Sequence, residues 1–200
     1  MARAANYDRD AALDAAMAVF WRKGYHATSL KDLEVALNMK PGSIYAAFES
    51  KENLYLLAIS RYFEASREGF RAQMAKSTSP LAGLAAQFQS YIDLAGADRS
   101  RQACMLMKTL VDTKSTDPKI AKVSQNYLDQ MCAEFAASFE AARDAGELPQ
   151  DVDPKRLARR FQANVTALRV ELMRGASKED IAALAADMAR ETMMLGVAYS

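Results

Sequence analysis

Apolar side chains recur along this chain at intervals of three and four residues, and no stretch keeps the alternation of period two that a half-buried strand needs. Such a chain builds its core from helices that each bury one apolar stripe, so the pattern points to an all-α protein. Composition agrees. Gly (8) and Pro (5) are scarce in 200 residues, whereas Ala, Leu, Met, Glu, Lys and Arg, which favour helices, are plentiful. Half of the residues are hydrophobic, enough for a real core and against disorder.

The breaks divide the periodic pattern into nine helices. The first runs from about Asp8 to Lys23, with Leu13, Met17, Phe20 and Trp21 on one side, and stops at Gly24. Thr28 is placed to cap a second, over 28–37, and Pro41 to open a short third that ends near Glu49 and buries Ile44, Tyr45 and Phe48 on one side. Ser50, with Asn53 three residues on, starts a longer helix from 51 to 76. Helices follow at about 80–95 and 102–114, with the polar break Gly96 to Ser100 between them. Asp117-Pro118 opens a long helix to Gly146, Asp153-Pro154 another to Gly175, and Ser177 with Asp180 approximates a capping box for the last. Three short helices thus precede residue 50 and six longer ones follow.

Charge alone announces no partner. Lys and Arg number 26 against 25 Asp and Glu, and residues 1–51 hold seven basic and six acidic side chains. A single histidine, His26, and two cysteines, Cys104 and Cys132, offer no metal-ligand spacing and no disulfide scaffold, so neither a metal nor a cofactor is expected. No run of about 18 apolar residues spans a membrane, and the first ten residues lack the apolar core of a secretory signal, so a cytoplasmic location is expected.

Two short helices, 28–37 and 41–48, joined by three residues, have the spacing of a helix-turn-helix, whose second helix enters the DNA major groove. Any small bundle contains such corners, but the residues are more specific. Gly24-Tyr25-His26-Ala27-Thr28-Ser29-Leu30-Lys31-Asp32-Leu33, then Gly42-Ser43-Ile44-Tyr45-Ala46-Ala47-Phe48 and Ser50-Lys51-Glu52-Asn53-Leu54, closely resemble the DNA-binding domain of the TetR family of bacterial transcriptional regulators. The resemblance is strong over about residues 9–57; beyond them only the helical plan is similar. It implies a three-helix DNA-binding domain over 1–50 and an effector-binding and dimerisation domain over 51–200.

On these residues the resemblance implies that Thr28 offers a hydroxyl and backbone N–H groups to a phosphate of a double-stranded DNA operator. Lys40 would reach a guanine edge or a phosphate, Gly42 and Ser43 would open the recognition helix to close approach, and Tyr45 would hydrogen-bond a phosphate. Lys51 would contact the backbone as a point charge, and Arg3 and Arg9 would extend the footprint into the adjacent groove. Ile44 and Phe48 hold the recognition helix against the first. Where many relatives carry polar residues after the tyrosine, this chain has Ala46-Ala47, which can touch a thymine methyl but donate nothing, so base reading rests on few side chains and on DNA shape. The plainer readings are that Tyr45 is a core aromatic, that Lys40 and Lys51 are solvated, and that His26 is a structural loop residue.

The same resemblance implies a switch: a small apolar or electrophilic effector changes the separation of two recognition helices in a homodimer formed through the last two helices. Tyr62, Phe63, Phe88, Tyr91, Met105, Met107, Met131, Phe135 and Phe161 supply material for an apolar cavity, though each taken alone reads first as plain core. Arg159, Arg160 and Arg169, beside Glu171 and Asp187, are placed to set register at a dimer rim or simply to face solvent. Cys104, in a helix's first turn after Arg99 and Arg101, is a candidate thiol sensor for oxidants or electrophiles, with a buried apolar role as the alternative. The functional expectation is a ligand-responsive repressor; an activator would use the same parts. A helical adaptor without DNA binding and a small all-α enzyme are disfavoured, the latter because no phosphate-binding Gly loop and no nucleophile with a nearby base is found.

Overall fold

The computed structural model describes residues 8–96 and 102–196, and among these it shows nine α-helices, a 3₁₀ turn and no strand. In chain order they are α1 (Arg9–Lys23), α2 (Leu30–Leu37), α3 (Pro41–Phe48), α4 (Lys51–Lys76), α5 (Pro80–Gln89), the 3₁₀ turn Ile92–Gly96, α6 (Met105–Thr113), α7 (Pro118–Asp144), α8 (Pro154–Arg174) and α9 (Lys178–Met194).

Local chemistry sets most of the boundaries. Asp8 caps α1 by accepting from the backbone N–H of Asp10 and Ala11, and Gly24, at φ +83°, ends it by donating to Phe20 O. A side chain at Gly24 would also be strained by that φ and would bring a Cβ to 2.9 Å from the Asp112 carboxylate. The cap of α2 is Ser29 and not Thr28: Ser29 Oγ accepts from the Asp32 N–H while the Asp32 carboxylate accepts from the Ser29 N–H, a complete capping box. Pro41 opens α3, where its missing N–H costs nothing. The helix expected over 80–95 stops at Gln89. Ser90 Oγ donates to the Gln87 carbonyl, a local bond that competes with the helical ladder, and the chain continues as the 3₁₀ turn.

The residues pack as two compact units, and the grouping differs from a single cut near residue 50. One unit comprises the described residues up to Glu64 together with Met105–Asn126; the other comprises those of Ala65–Cys104 and from Tyr127 onward. The uninterrupted helix α4 therefore contributes 51–64 to the first and 65–76 to the second, and α7 is shared at Asn126 in the same way.

In the first unit α1 packs on α2 and α2 on α3. Phe20, Leu33, Phe48, Leu54 and Tyr55 are its largest fully buried side chains from α1 to the start of α4. Phe20 and Tyr55 meet edge to face at 4.7 Å, and the buried Tyr55 hydroxyl shares a 2.7 Å hydrogen bond with Thr109 of α6. Burial pushes the Tyr55 phenol up to about 12, against the opposing pull of that hydrogen bond, so it stays a neutral group. In the second unit α9 packs on α5, α8 and the 3₁₀ turn. Its centre is a run of ring contacts: Phe70 on Phe135, Phe135 on Phe161, and Phe161 on Phe88 and Phe139, with centroids 4.7–5.9 Å apart.

Candidate functional site

The surface of α3 separates two kinds of side chain within eight residues. Ile44 and Phe48, four apart, are buried and fix the helix in its unit. Lys40 at the N-cap, Gly42, Ser43, Tyr45 and Ala46 are exposed. Tyr45 is 46% exposed, which removes it from the core and leaves its hydroxyl in solvent. No atom lies within 4 Å of a Cβ built on Gly42, so nothing inside the chain asks for glycine there. The open space over it faces outward.

Three of the expected contacts are held differently. Thr28 is 1% exposed and its hydroxyl donates to the Gly24 carbonyl at 2.6 Å, so it closes the turn between α1 and α2 instead of presenting a hydroxyl to solvent. Lys51 is half-buried with its ammonium 4.7 Å from the Tyr25 ring centre. Burial lowers its pKa, with Asp117 and Asp32 pulling the other way. Arg9 donates to the Ala47 carbonyl at the end of α3 at 2.9 Å and lies over the Phe48 ring, so it buttresses the recognition helix from the side of α1. Arg3, Arg99 and Arg101 lie outside the described residues.

Partners far apart in the chain also hold this unit together. Lys108 of α6 donates to the carbonyls of Trp21 and Arg22 at 3.2 and 3.0 Å, satisfying acceptors at the C-terminal end of α1, where the helix dipole also favours a cation. His26 Nε2 lies 2.8 Å from Thr116 Oγ1 and 3.0 Å from the Asp117 carboxylate, which makes it a structural loop residue bridging to the turn after α6. Nothing in the local pattern around Lys108 marks it, because its partners lie 86 and 87 residues away.

The second unit contains a cleft of about 300 Å³ lined by Ala65, Ser66, Gly69, Phe70, Gln73, Gln87, Ser90, Tyr91, Leu94, Met131, Phe135 and Arg169. Tyr91, Met131 and Phe135 from the expected cavity set are here. Phe88 and Phe161 belong to the same core cluster as Tyr91 and Phe135 but do not line the cleft. Tyr62, Phe63 and Met105 do not line this cleft; they are buried in the first unit, Tyr62 edge to face with Trp21. Arg169, expected at a dimer rim, lines the cleft and lies over the Tyr91 ring at 4.9 Å. Cys104 immediately precedes α6 and is half-buried. Cys132 is also half-buried, on a shallow groove with Ala136, Glu140 and Arg159, and burial pushes its thiol pKa up, which makes it a poor nucleophile. No group of three His, Cys, Asp or Glu side chains among the described residues is placed to hold a metal ion.

Paired short helices whose second member keeps its apolar side chains inside and a basic and polar set outside define a helix-turn-helix nucleic-acid binder. Comparison with known proteins agrees. Residues 12–58 match the family model of bacterial regulatory proteins, tetR family, and residues 80–186 match that of the tetracyclin repressor-like C-terminal domain. The chain belongs to the TetR family of DNA-binding transcriptional regulators.

Among its relatives, the HTH-type transcriptional repressor ComR of Escherichia coli (strain K12) is 29% identical over 181 residues, 90% of this chain and 86% of that one. The biofilm operon negative transcriptional regulator IcaR of Staphylococcus epidermidis is 33% identical over 55 residues, 28% of this chain and 30% of its own, so that likeness is confined to a short segment. Among solved structures, a cysteine mutant of the TetR-family regulator CifR complexed with 26-base-pair operator DNA superposes with a TM-score of 0.85 at 25% identity, covering 94% of this chain and 98% of that one.

Proposed function

We propose that this regulator is a repressor that binds operator DNA as a homodimer and is released by a small molecule held in the second unit. The observation that carries the reading is the outward face of α3, where Lys40, Gly42, Ser43 and Tyr45 stand exposed over buried Ile44 and Phe48. A helix so presented can enter the major groove, with Lys40 at a phosphate or guanine and Tyr45 at a phosphate. Ala46, exposed beside Tyr45, offers only a methyl contact to thymine. Thr28 acts here as a positioning residue through its bond to Gly24. Lys51 reaches a phosphate only by leaving the Tyr25 ring. A repressor is favoured over an activator by the names of ComR and IcaR, both repressors.

Dimer formation and effector binding are typical of the family. The last two helices carry the apolar surface for a symmetric interface: Val170 and Met173 on α8, and Met193 and Met194 on α9, are each between 40% and 55% exposed. A cytoplasmic, non-catalytic role accords with the family and with the described helices, none of which is long and apolar enough to cross a membrane. The effector then favours a conformer whose two recognition helices no longer match successive major grooves.

Two measurements test the reading. Fluorescence anisotropy with DNA from the protein's own promoter region should show sequence-preferring binding that weakens steeply with salt, while binding to unrelated DNA is weak because the first 51 residues carry a net charge of only +1. Light scattering at micromolar protein should give a dimer. Equal binding to all DNA, or a monomer at every concentration, removes the proposal.

A further inference from the structure

The cleft of the second unit has one chemical asymmetry. Among the described residues that line it, Arg169 is the sole ionised side chain; the others are apolar, such as Phe70, Leu94, Met131 and Phe135, or neutral polar, Ser66, Gln73, Gln87 and Ser90, with no carboxylate among them. The guanidinium is held in place from two sides: it lies over the Tyr91 ring at 4.9 Å, and Nη1 donates to the Gln102 carbonyl at 3.3 Å. A planar guanidinium carries five N–H donors in a rigid fork that matches the two oxygens of a carboxylate. The Tyr91 ring beneath it and the Gln102 carbonyl restrict that fork before anything binds. Charge-assisted bonds of this kind are shorter and stronger than neutral ones, and more so beside apolar walls than in water.

We propose that the cleft takes a small organic carboxylate, its anionic end on Arg169 and its apolar body against Phe135 and Met131. This rests on the reading of the cleft as the effector site and replaces the apolar or electrophilic effector with an amphiphilic anion. It also supplies a consequence of occupancy. The Gln102 carbonyl and the bound carboxylate compete for the same guanidinium, and Gln102 stands three residues before Met105, where α6 begins. An anion that draws Arg169 away releases the Gln102 carbonyl and loosens that segment of the second unit.

Isothermal titration calorimetry on the full chain, with three probes of one shape, tests this: 2-naphthoate, 2-naphthamide and 2-naphthylmethylammonium. The wild type should bind the carboxylate at least about tenfold more tightly than the amide, and the ammonium more weakly than either. In Arg169→Met the carboxylate should fall to the level of the amide while the amide is held within about threefold of its wild-type affinity, which also shows that the cleft is intact. Arg169→Lys should recover part of the preference, as a charge without the fork. Should Arg169→Met fail to fold by circular dichroism, Arg169→Gln takes its place in the same titrations. An amide that binds the wild type as tightly as the carboxylate, or a carboxylate preference that survives loss of the arginine, overturns the anion assignment and leaves the cleft reading standing. No binding of any probe to the wild type at about 1 mM overturns both.

Discussion

The exposed face of α3 and the cleft of the second unit, the two surfaces proposed to meet a partner, are built in opposite ways. On α3 the side chains that hold the fold and those that face a partner are different residues, sorted to opposite sides of one short helix: Ile44 and Phe48 inside, Lys40, Ser43 and Tyr45 outside. In the cleft they are the same residues. Phe135 and Tyr91 line the cavity and are also buried members of the core cluster. DNA reading can therefore drift by substitution at almost no cost to stability, whereas changing the cleft's chemistry disturbs the packing that supports it.

The strongest way to break this contrast is Phe135→Ala. It should lower unfolding free energy by about 3–5 kcal/mol in denaturant titration, because the ring packs on both Phe70 and Phe161 and the cavity left behind cannot close. A loss below about 1 kcal/mol would mean that the cleft wall is not core. The double substitution Lys40→Ala with Tyr45→Ala should weaken binding to promoter DNA on the order of 100-fold while shifting stability by no more than about 0.5 kcal/mol, as measured by anisotropy and melting. A large drop in Tm would place those side chains in the fold and erase the distinction.

Smaller effects sharpen the account of the first unit. Ser29→Ala should cost about 1 kcal/mol through loss of the α2 cap, measurable by chemical denaturation. Asp32 gives a pH signature. Its hydrogen bond from Lys23 at 2.6 Å, then those from the Ser29 N–H and hydroxyl, hold its carboxyl well below the usual carboxylate range. The unfolded chain thus takes up this proton at a higher pH than the folded one. Asp32 contributes stability above its ordinary pKa of about 3.9 and loses it as pH falls below that value. The Tm gap between the wild type and Asp32→Asn should accordingly narrow between about pH 5 and about pH 2; a constant gap would show that the carboxylate's charge plays no part in the cap.

The helix-turn-helix was legible because its determinants are local. Pro41 opens α3, and the short run from Gly42 to Phe48 already contains the alternation of outward and inward side chains. The cap of α2 lies one residue beyond the expected Thr28, since Thr28 and Ser29 are chemically alike and only the position of Asp32 relative to each decides which closes the box. The pattern also puts Tyr45 in the buried stripe of its short helix, where its neighbours Ile44 and Phe48 belong and it does not. The cleft was only partly legible. Tyr91, Met131 and Phe135 were picked out as apolar, but so were Tyr62, Phe63 and Met105, and periodicity treats all of them alike because a side chain facing a cavity and one facing a filled core have the same spacing. The pattern places Arg169 at a dimer rim or in solvent for a related reason: a guanidinium at the edge of an apolar stripe looks the same whether it meets solvent or the Tyr91 ring.

The sequence by itself determined the helical class, nearly every helix boundary and the motif that places the chain among TetR regulators, since caps, breakers and three-to-four spacing act over a few residues. Tertiary structure alone decided which residues share a unit, that α6 closes the C-terminal end of α1 through Lys108, and that an arginine lines the cleft of the second unit. Those outcomes depend on contacts between residues tens of positions apart, and hydrophobic burial, which drives them, is non-directional until the helices have met.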